Sequence, residues 1–138
     1  EPLLVSWRGA RIAPLICYDL RFPVWSRRRE RYDYDLLVYV ANWPAARHYA
    51  WPQLLRARAI ENQACVIGVN RVGEDGNGVA HAGGSVALDA LGRSVVELGD
   101  AAGVETVALD LGALRELRQR FPVALDADEF SFGPARNT

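Results

Sequence analysis

Two uninterrupted apolar runs constrain this chain more than any other feature: residues 36–41 (Leu-Leu-Val-Tyr-Val-Ala) and 65–69 (Cys-Val-Ile-Gly-Val). Both lack the polar alternation of a strand with one wet face, and β-branched and aromatic members run through them. Each therefore suits a strand covered on both sides. Between them lie a loop, residues 42–48, and a stretch from about 49 to 64 in which Trp51, Leu54, Leu55 and Ala59 fall on one helical stripe. Strand, loop, helix and strand in that order predict a βαβ unit.

The flanking segments extend this layer. Residues 3–7 read as a strand, which Gly9 turns into a second apolar run over 12–17. Pro14 removes a ladder donor there and predicts a bulge or an edge position. Pro23 opens a short helix through Arg31, proline being tolerated in a first turn. Its Arg27-Arg28-Arg29-Glu30-Arg31 end reads as a solvated face that complements the helix dipole. Glycines with Asp75 and Asn77 make 73–78 a turn or loop. Strands are predicted over 85–89, 93–98 and 104–109, the first two joined by Ala90-Leu91-Gly92. A last helix points Leu111, Leu114, Leu117 and Phe121 inward and Arg115, Glu116, Arg118 and Arg120 outward, and Pro122 ends it. The pattern predicts one α/β layered domain over residues 1–138, with helices on one sheet face and the other face seeking a second sheet.

Composition narrows the function. The 138 residues carry sixteen basic and seventeen acidic side chains, a net charge of −1, so no global field draws nucleic acid or anionic lipid. No apolar run approaches the ~20 residues that span a bilayer, and Glu1-Pro2-Leu3 is no signal peptide. Neither nucleic acid nor membrane is expected as a partner. Two cysteines cannot build a disulfide scaffold and point to a reducing, cytoplasmic setting. Residues 73–78 lack the lysine of a phosphate loop and the acidic spacing of an EF-hand, and no Cys/His group has zinc spacing. No metal and no cofactor are expected. The sequence contains no methionine, which reads as a piece of a longer chain, and all sixteen basic residues are arginine. No side chain here can supply a lysine ammonium.

Cys17 is the most informative single position. The apolar run ends on it and gives way at once to Tyr18-Asp19-Leu20-Arg21-Phe22-Pro23 and a helix. A nucleophile on a sharp strand-to-helix turn is presented outward, and the backbone N–H of the next residue, here Tyr18, is free to hold an oxyanion. Arg21 and the helix start offer the positive surroundings that a thiolate needs. A buried, inert cysteine closing a core strand is the competing reading, and it is the reading for Cys65, which lies within a run.

The stretch Ile16-Cys17-Tyr18-Asp19-Leu20-Arg21-Phe22-Pro23 resembles the nucleophile motif of the nitrilase superfamily of carbon–nitrogen hydrolases. Ala41-Asn42-Trp43-Pro44, Arg56-Ala57-Arg58-Ala59-Ile60-Glu61-Asn62-Gln63, Asn70-Arg71-Val72-Gly73, Gly83-Gly84-Ser85 and Leu91-Gly92 agree in order and spacing. The combination is most similar to the omega-amidase (2-oxoglutaramate amidase) branch. The resemblance implies a four-layer α-β-β-α sandwich, a homo-oligomer, and a Glu–Lys–Cys triad that hydrolyses a small linear amide to an acid and ammonia through a thioester. Cys17 would be the nucleophile, and the Tyr18 N–H with a lysine ammonium would steady the oxyanion. The family's glutamate and lysine precede its nucleophile, so this chain is expected to be the C-terminal half of such a domain, partnered by the missing N-terminal half.

Other residues take supporting readings. In the loop after residues 36–41, Asn42 can hold an amide, Trp43 can form an apolar wall, and Arg47 can grip a substrate carboxylate. Asp19 is expected to hold the nucleophile turn, with Arg21 as its partner. Arg58 falls on the apolar stripe of its helix and requires a partner, which Glu61 one turn on can be. His48 and His81 are the only histidines. A Cys17–His48 dyad is a second route to a thiol hydrolase. A catalytically inactive scaffold that keeps the fold is the third reading.

Overall fold

In a computed structural model of the protein, which describes residues 3–128 and 133, the two apolar runs are neighbouring parallel strands. In chain order the elements are β1 (Val5–Trp7), β2 (Ala10–Ile16), α1 (Pro23–Ser26), β3 (Leu36–Ala41), α2 (Ala50–Asn62) and β4 (Cys65–Asn70). β5 (Val72–Glu74), β6 (Ala80–Ala82), β7 (Val86–Leu88), β8 (Ser94–Glu97) and α3 (Leu111–Arg120) follow. Glu1 and Pro2, read above for a leader signature, lie outside the described residues.

The main sheet has six strands in the order β1-β2-β3-β4-β7-β8. Its centre, β2-β3-β4, is parallel, with Ile12 opposite Leu36 and Leu36 opposite Cys65. The outer pairs are antiparallel. β5 and β6 form a separate two-stranded hairpin.

α2 covers one face of this sheet. Pro52 falls in its first turn, where backbone N–H groups have no helical acceptor to lose. The helix ends where Gln63 turns left-handed at φ +45° and the Ala64 N–H returns to the Ala59 carbonyl. Trp51, Leu55 and Ala59 are fully buried against Leu37, Tyr39, Val66 and Leu88. Gly68 sets the distance between helix and sheet: a Cβ there would lie 2.5 Å from Leu55 Cδ1. The opposite face is apolar and open, with Ile16 72%, Val40 57% and Val69 45% exposed along the same register line.

Several expectations change. Pro14 causes no bulge, since β2 and β3 pair without a break from Ile12 to Ile16. β1 pairs only as far as Ile12, so Pro14 stands beyond its end, on a locally free edge where the missing N–H leaves no ladder bond unmade. α1 stops at Ser26 and does not reach Arg31. Arg28 turns inward instead: its N–H donates to Asn62 Oδ1 (2.9 Å), its Nε to the Asn62 carbonyl (2.8 Å) and its Nη1 to Asp33 (2.9 Å).

The predicted strand over 104–109 is not formed. Its residues have no ladder partner among the described residues, and Val104 is exposed. The turn expected over 73–78 is shorter: Gly73 and Glu74 belong to β5, which pairs with β6 as a hairpin, and the chain reverses only after them. On α3, Leu114 is buried while Phe121 caps the C-terminus and is exposed. Arg118 points in and not out, donating to the Gln63 carbonyl (2.8 Å), the Tyr34 carbonyl (2.7 Å) and Asp35 (3.2 Å). These bonds anchor α3 at the end of the sheet. Within the described residues there is one large sheet rather than the two of a four-layer sandwich.

Candidate active site

The chain leaves β2 through a strained corner. Cys17 adopts φ +40°, in the left-handed region that non-glycine residues rarely enter, and opens a 3₁₀ turn, Cys17–Arg21. Asp19 holds the corner: its Oδ2 accepts the Ile16 N–H at 2.9 Å, and its carbonyl accepts the Phe22 N–H at 3.0 Å. The turn's i→i−3 ladder starts with the Asp19 N–H, which leaves the Tyr18 N–H outside it. The Tyr18 ring is exposed and stacks edge-on against Phe22 with centroids 5.2 Å apart. Arg21 is not the partner of Asp19. Its guanidinium lies 5.0 Å from the Trp43 ring centroid, a cation–π arrangement that ties the turn to the loop after β3.

Beneath the corner, α2 supplies the support. Leu20 is fully buried, and its carbonyl accepts a hydrogen bond from Arg58 Nη2 at 2.6 Å. Arg58 is 4% exposed and pairs through Nη1 with Glu61 at 3.1 Å. A guanidinium can serve a carboxylate and a carbonyl at once from its fixed fork, which is what this position asks of it. The surrounding tyrosines stay neutral: burial pushes the Tyr39 hydroxyl up to about 12 and raises that of Tyr34 further. The Tyr34 hydroxyl donates to the Ser26 carbonyl.

The loop after β3 splits its expected residues. Asn42 and Arg47 are exposed, while Trp43 is buried, 2% exposed, with its ring 5.5 Å from that of Trp51. Trp43 is therefore a core side chain rather than an open pocket wall. Its Nε1 donates to the Arg47 carbonyl at 2.8 Å, so the loop folds on itself. Among the described residues no carboxylate pairs with Arg47.

Asn70, which stands in the sequence only as part of the Asn70-Arg71-Val72-Gly73 motif, fastens this loop. Its Oδ1 accepts the Trp43 N–H at 2.7 Å, and its Nδ2 donates to the Gly83 carbonyl at 2.8 Å. An asparagine closing an otherwise apolar strand is a readable signal, because a buried amide has to find partners.

The Nδ1 atoms of His48 and His81 are buried without hydrogen-bond partners among the described residues, so neither histidine bonds Cys17 through that nitrogen. The His48 ring lies instead against Gly84, where a Cβ would meet its Cε1 at 2.7 Å. Cys65 is buried at the start of β4, and burial raises its thiol to about 11.

Cys17, Asn42 and Arg71 thus directly follow β2, β3 and β4, at the carboxyl ends of three adjacent parallel strands. Ligands of open α/β sheets bind at such ends. A partly exposed thiol on a tight corner, followed by an amide N–H outside the turn's own bonding, can attack a carbonyl carbon and receive the resulting oxyanion. No group of three or more His, Cys, Asp or Glu side chains that could hold a metal occurs among the described residues, and no helix there is long and apolar enough to cross a membrane.

Comparison with known proteins shows the family and the fold. The carbon–nitrogen hydrolase family model matches residues 3–119. An omega-amidase, YafV, of Yersinia enterocolitica is 56% identical over 132 residues, covering 94% of this chain and 50% of the relative. A 2-oxoglutaramate amidase of Bacillus subtilis is 38% identical over 115 residues, covering 83% of this chain and 44% of that protein. The chain spans about half the length of the curated relatives it matches. Among solved structures, a carbon–nitrogen hydrolase superfamily protein of Xanthomonas campestris with an arsenic adduct in its active site superposes with a TM-score of 0.92 at 50% identity. That match covers 96% of this chain and 52% of the other.

Proposed function

The chain belongs to the carbon–nitrogen hydrolase family, and from that premise we propose that it carries the nucleophile of an amidase acting on a small linear amide, a 2-oxo acid ω-amide. The observation that carries the reading is the left-handed corner at Cys17, at the end of a parallel strand and with the Tyr18 N–H outside the turn's bonding. In the proposed reaction the Cys17 thiolate adds to the amide carbonyl and the oxyanion is received by the Tyr18 N–H. The C–N bond breaks, the departing nitrogen takes a proton and leaves as ammonia, and a thioester remains. Water then adds to the thioester, releasing the carboxylic acid and restoring the thiol. Asn42 would hold the amide, and Arg47, which pairs with no carboxylate among the described residues, the substrate's distant carboxylate. Asp19, Arg21, Arg58 and Glu61 would hold the corner.

Two groups of the family's triad, a glutamate that relays protons and a lysine, are proposed to come from a separate segment. This chain has no lysine at all. The open sheet face is the surface such a segment would cover, completing a four-layer sandwich from this half and another. The relatives named as omega-amidase and 2-oxoglutaramate amidase support the substrate class. The arsenic adduct in the Xanthomonas relative supports a reactive thiol, since arsenic bonds soft sulfur ligands.

The test measures ammonia release from a 2-oxo acid ω-amide, with this chain alone and with the unmatched half of the Yersinia relative added. Activity is expected only in the complemented sample and is expected to vanish with Cys17→Ala. Turnover that survives Cys17→Ala would overturn the proposal. Turnover by the chain alone that His48→Ala abolishes would favour the dyad, and a complemented but inert protein would favour the scaffold.

A further inference from the structure

We propose that Asn70 is the positioning residue of this site, fixing the loop after β3, and with it Asn42 and Arg47, beside the Cys17 corner. What the loop holds rests on the amidase reading above; the geometry of the fastening does not.

The loop is a unit in its own right. Trp43 Nε1 donates to the Arg47 carbonyl, the Arg47 N–H to the Pro44 carbonyl (3.0 Å), and the His48 N–H to the Ala45 carbonyl (3.0 Å). A unit closed on itself needs an outside anchor to keep a fixed place relative to the sheet. Asn70 supplies it. The residue is 6% exposed, and its amide engages the loop from both sides. Oδ1 accepts the Trp43 N–H (2.7 Å), while Nδ2 donates to the Trp43 carbonyl (3.3 Å) and the Gly83 carbonyl (2.8 Å). Its own N–H donates to Ser85 Oγ at 2.9 Å, so the anchor is held in turn by the residue just before β7.

Close approach of backbone makes this possible. Gly83, at φ +64°, would place a Cβ 2.5 Å from the Gly99 carbonyl oxygen, and Gly84, at φ +72°, would press on His48. The Gly84 carbonyl accepts the Trp51 Nε1–H at 2.8 Å. Only a short side chain with one acceptor and two donors meets all the demands on Asn70: aspartate has no donor, serine has a single one, and alanine has none. From Trp43 the fastening continues to Arg21 by the cation–π contact, and so to the corner itself.

The experiment compares Asn70→Ala and Asn70→Asp with the unsubstituted chain by amide hydrogen exchange resolved by residue and corrected for intrinsic pH dependence, together with the kinetics of the complemented amidase. With Asn70→Ala, protection at the Trp43 amide is expected to fall at least about tenfold while Tyr39 and Val66 in the strand ladder stay within about twofold. KM is expected to rise about tenfold with kcat changed less than about threefold, since the loop binds substrate and does not carry the nucleophile. Asn70→Asp keeps the acceptor for Trp43 but turns an acceptor toward the Gly83 carbonyl. Its defect is expected at neutral pH and relieved below about pH 5, where the protonated carboxyl donates again.

Unchanged Trp43 protection in both variants would overturn the proposal, as would an equal loss at Tyr39 and Val66. Absence of amide hydrolysis by the unsubstituted, complemented protein would remove the amidase reading and leave the exchange result to decide on Asn70.

Discussion

Gly68→Ala tests whether the seat of α2 on the sheet is set by a missing side chain. The added Cβ would stand 2.5 Å from Leu55 Cδ1, 3.1 Å from Leu55 Cδ2 and 2.9 Å from Trp51 Cζ2. Carbon atoms pack at about 3.5–4.0 Å, so a shift of about 1 Å is forced. Neither neighbour can yield toward solvent, because both side chains are fully buried. Overpacking of this kind costs about 1–3 kcal/mol, offset by about 0.5–1 kcal/mol because alanine loses less backbone freedom in a strand than glycine. The expected net loss is about 1–2 kcal/mol. Leu55→Ala alone removes a core side chain and costs about 2–5 kcal/mol. In the double variant the new methyl enters the vacated space, so the two losses should fall short of their sum by about 1–3 kcal/mol. Urea unfolding followed by tryptophan fluorescence, with all four proteins at one concentration, measures the cycle. Additivity within about 0.5 kcal/mol would show that the helix rests elsewhere and refute the argument.

Thiol alkylation should separate the two cysteines near pH 8: Cys17, at the partly exposed corner, reacts first, and Cys65, buried and raised to about 11, lags by at least about tenfold; equal rates would remove the case for a poised Cys17. The same shift gives a stability profile. An unfolded thiol ionises near 9 and the folded one near 11, so the native state holds its proton longer and loses stability as pH rises through that interval. The loss has a limiting slope of about 1.4 kcal/mol per pH unit, steepened above pH 10 by Tyr34 and Tyr39, whose hydroxyls are raised in the same sense. Cys65→Val should flatten the lower part of the curve, and an unaltered curve in urea titrations would count against it. Glu61→Gln strands the Arg58 charge with only the Leu20 carbonyl; because Glu61 is 30% exposed, we expect a loss of about 1–2 kcal/mol rather than the ~3–5 kcal/mol of a fully buried pair, and unchanged thermal stability would contradict it. Val40→Glu on the open face should weaken self-association in sedimentation at an unchanged urea midpoint, whereas undiminished association would place the sticky surface elsewhere.

The sequence exposed the centre of this fold because there local pattern and tertiary context agree. Apolar runs at 36–41 and 65–69, with Trp51, Leu54, Leu55 and Ala59 on one helical stripe between them, leave few alternatives to a βαβ unit, and β3, α2 and β4 follow. Cys17 was legible for the same reason, as an abrupt end to an apolar run. The misses share another cause. Residues 104–109 have strand composition, but a strand exists only with a neighbour, and no ladder partner lies among the described residues. Asn70 escaped notice because its partners, Trp43 and Gly83, are 27 and 13 residues away, and no local period encodes such bonds.

The arginines show why charge is a poor guide to the surface of this protein. Sequence pattern alone makes Arg28 solvated, Arg58 one half of an ion pair and Arg118 outward-facing. All three send donors to backbone carbonyls at the ends of elements: Asn62 and Gln63 at the exit of α2, Leu20 in the nucleophile turn, and Tyr34 before β3. Those carbonyls are the groups that element ends leave without partners. A planar cation can bond one of them and a carboxylate together, as Arg58 does with Leu20 and Glu61 and Arg118 with Tyr34 and Asp35. The pair Arg58–Glu61 therefore belongs to the Cys17 corner as much as to α2. Lifting the helix from the sheet would stretch the 2.6 Å bond to Leu20, so the packing at Gly68 and the presentation of the thiol are coupled through one guanidinium.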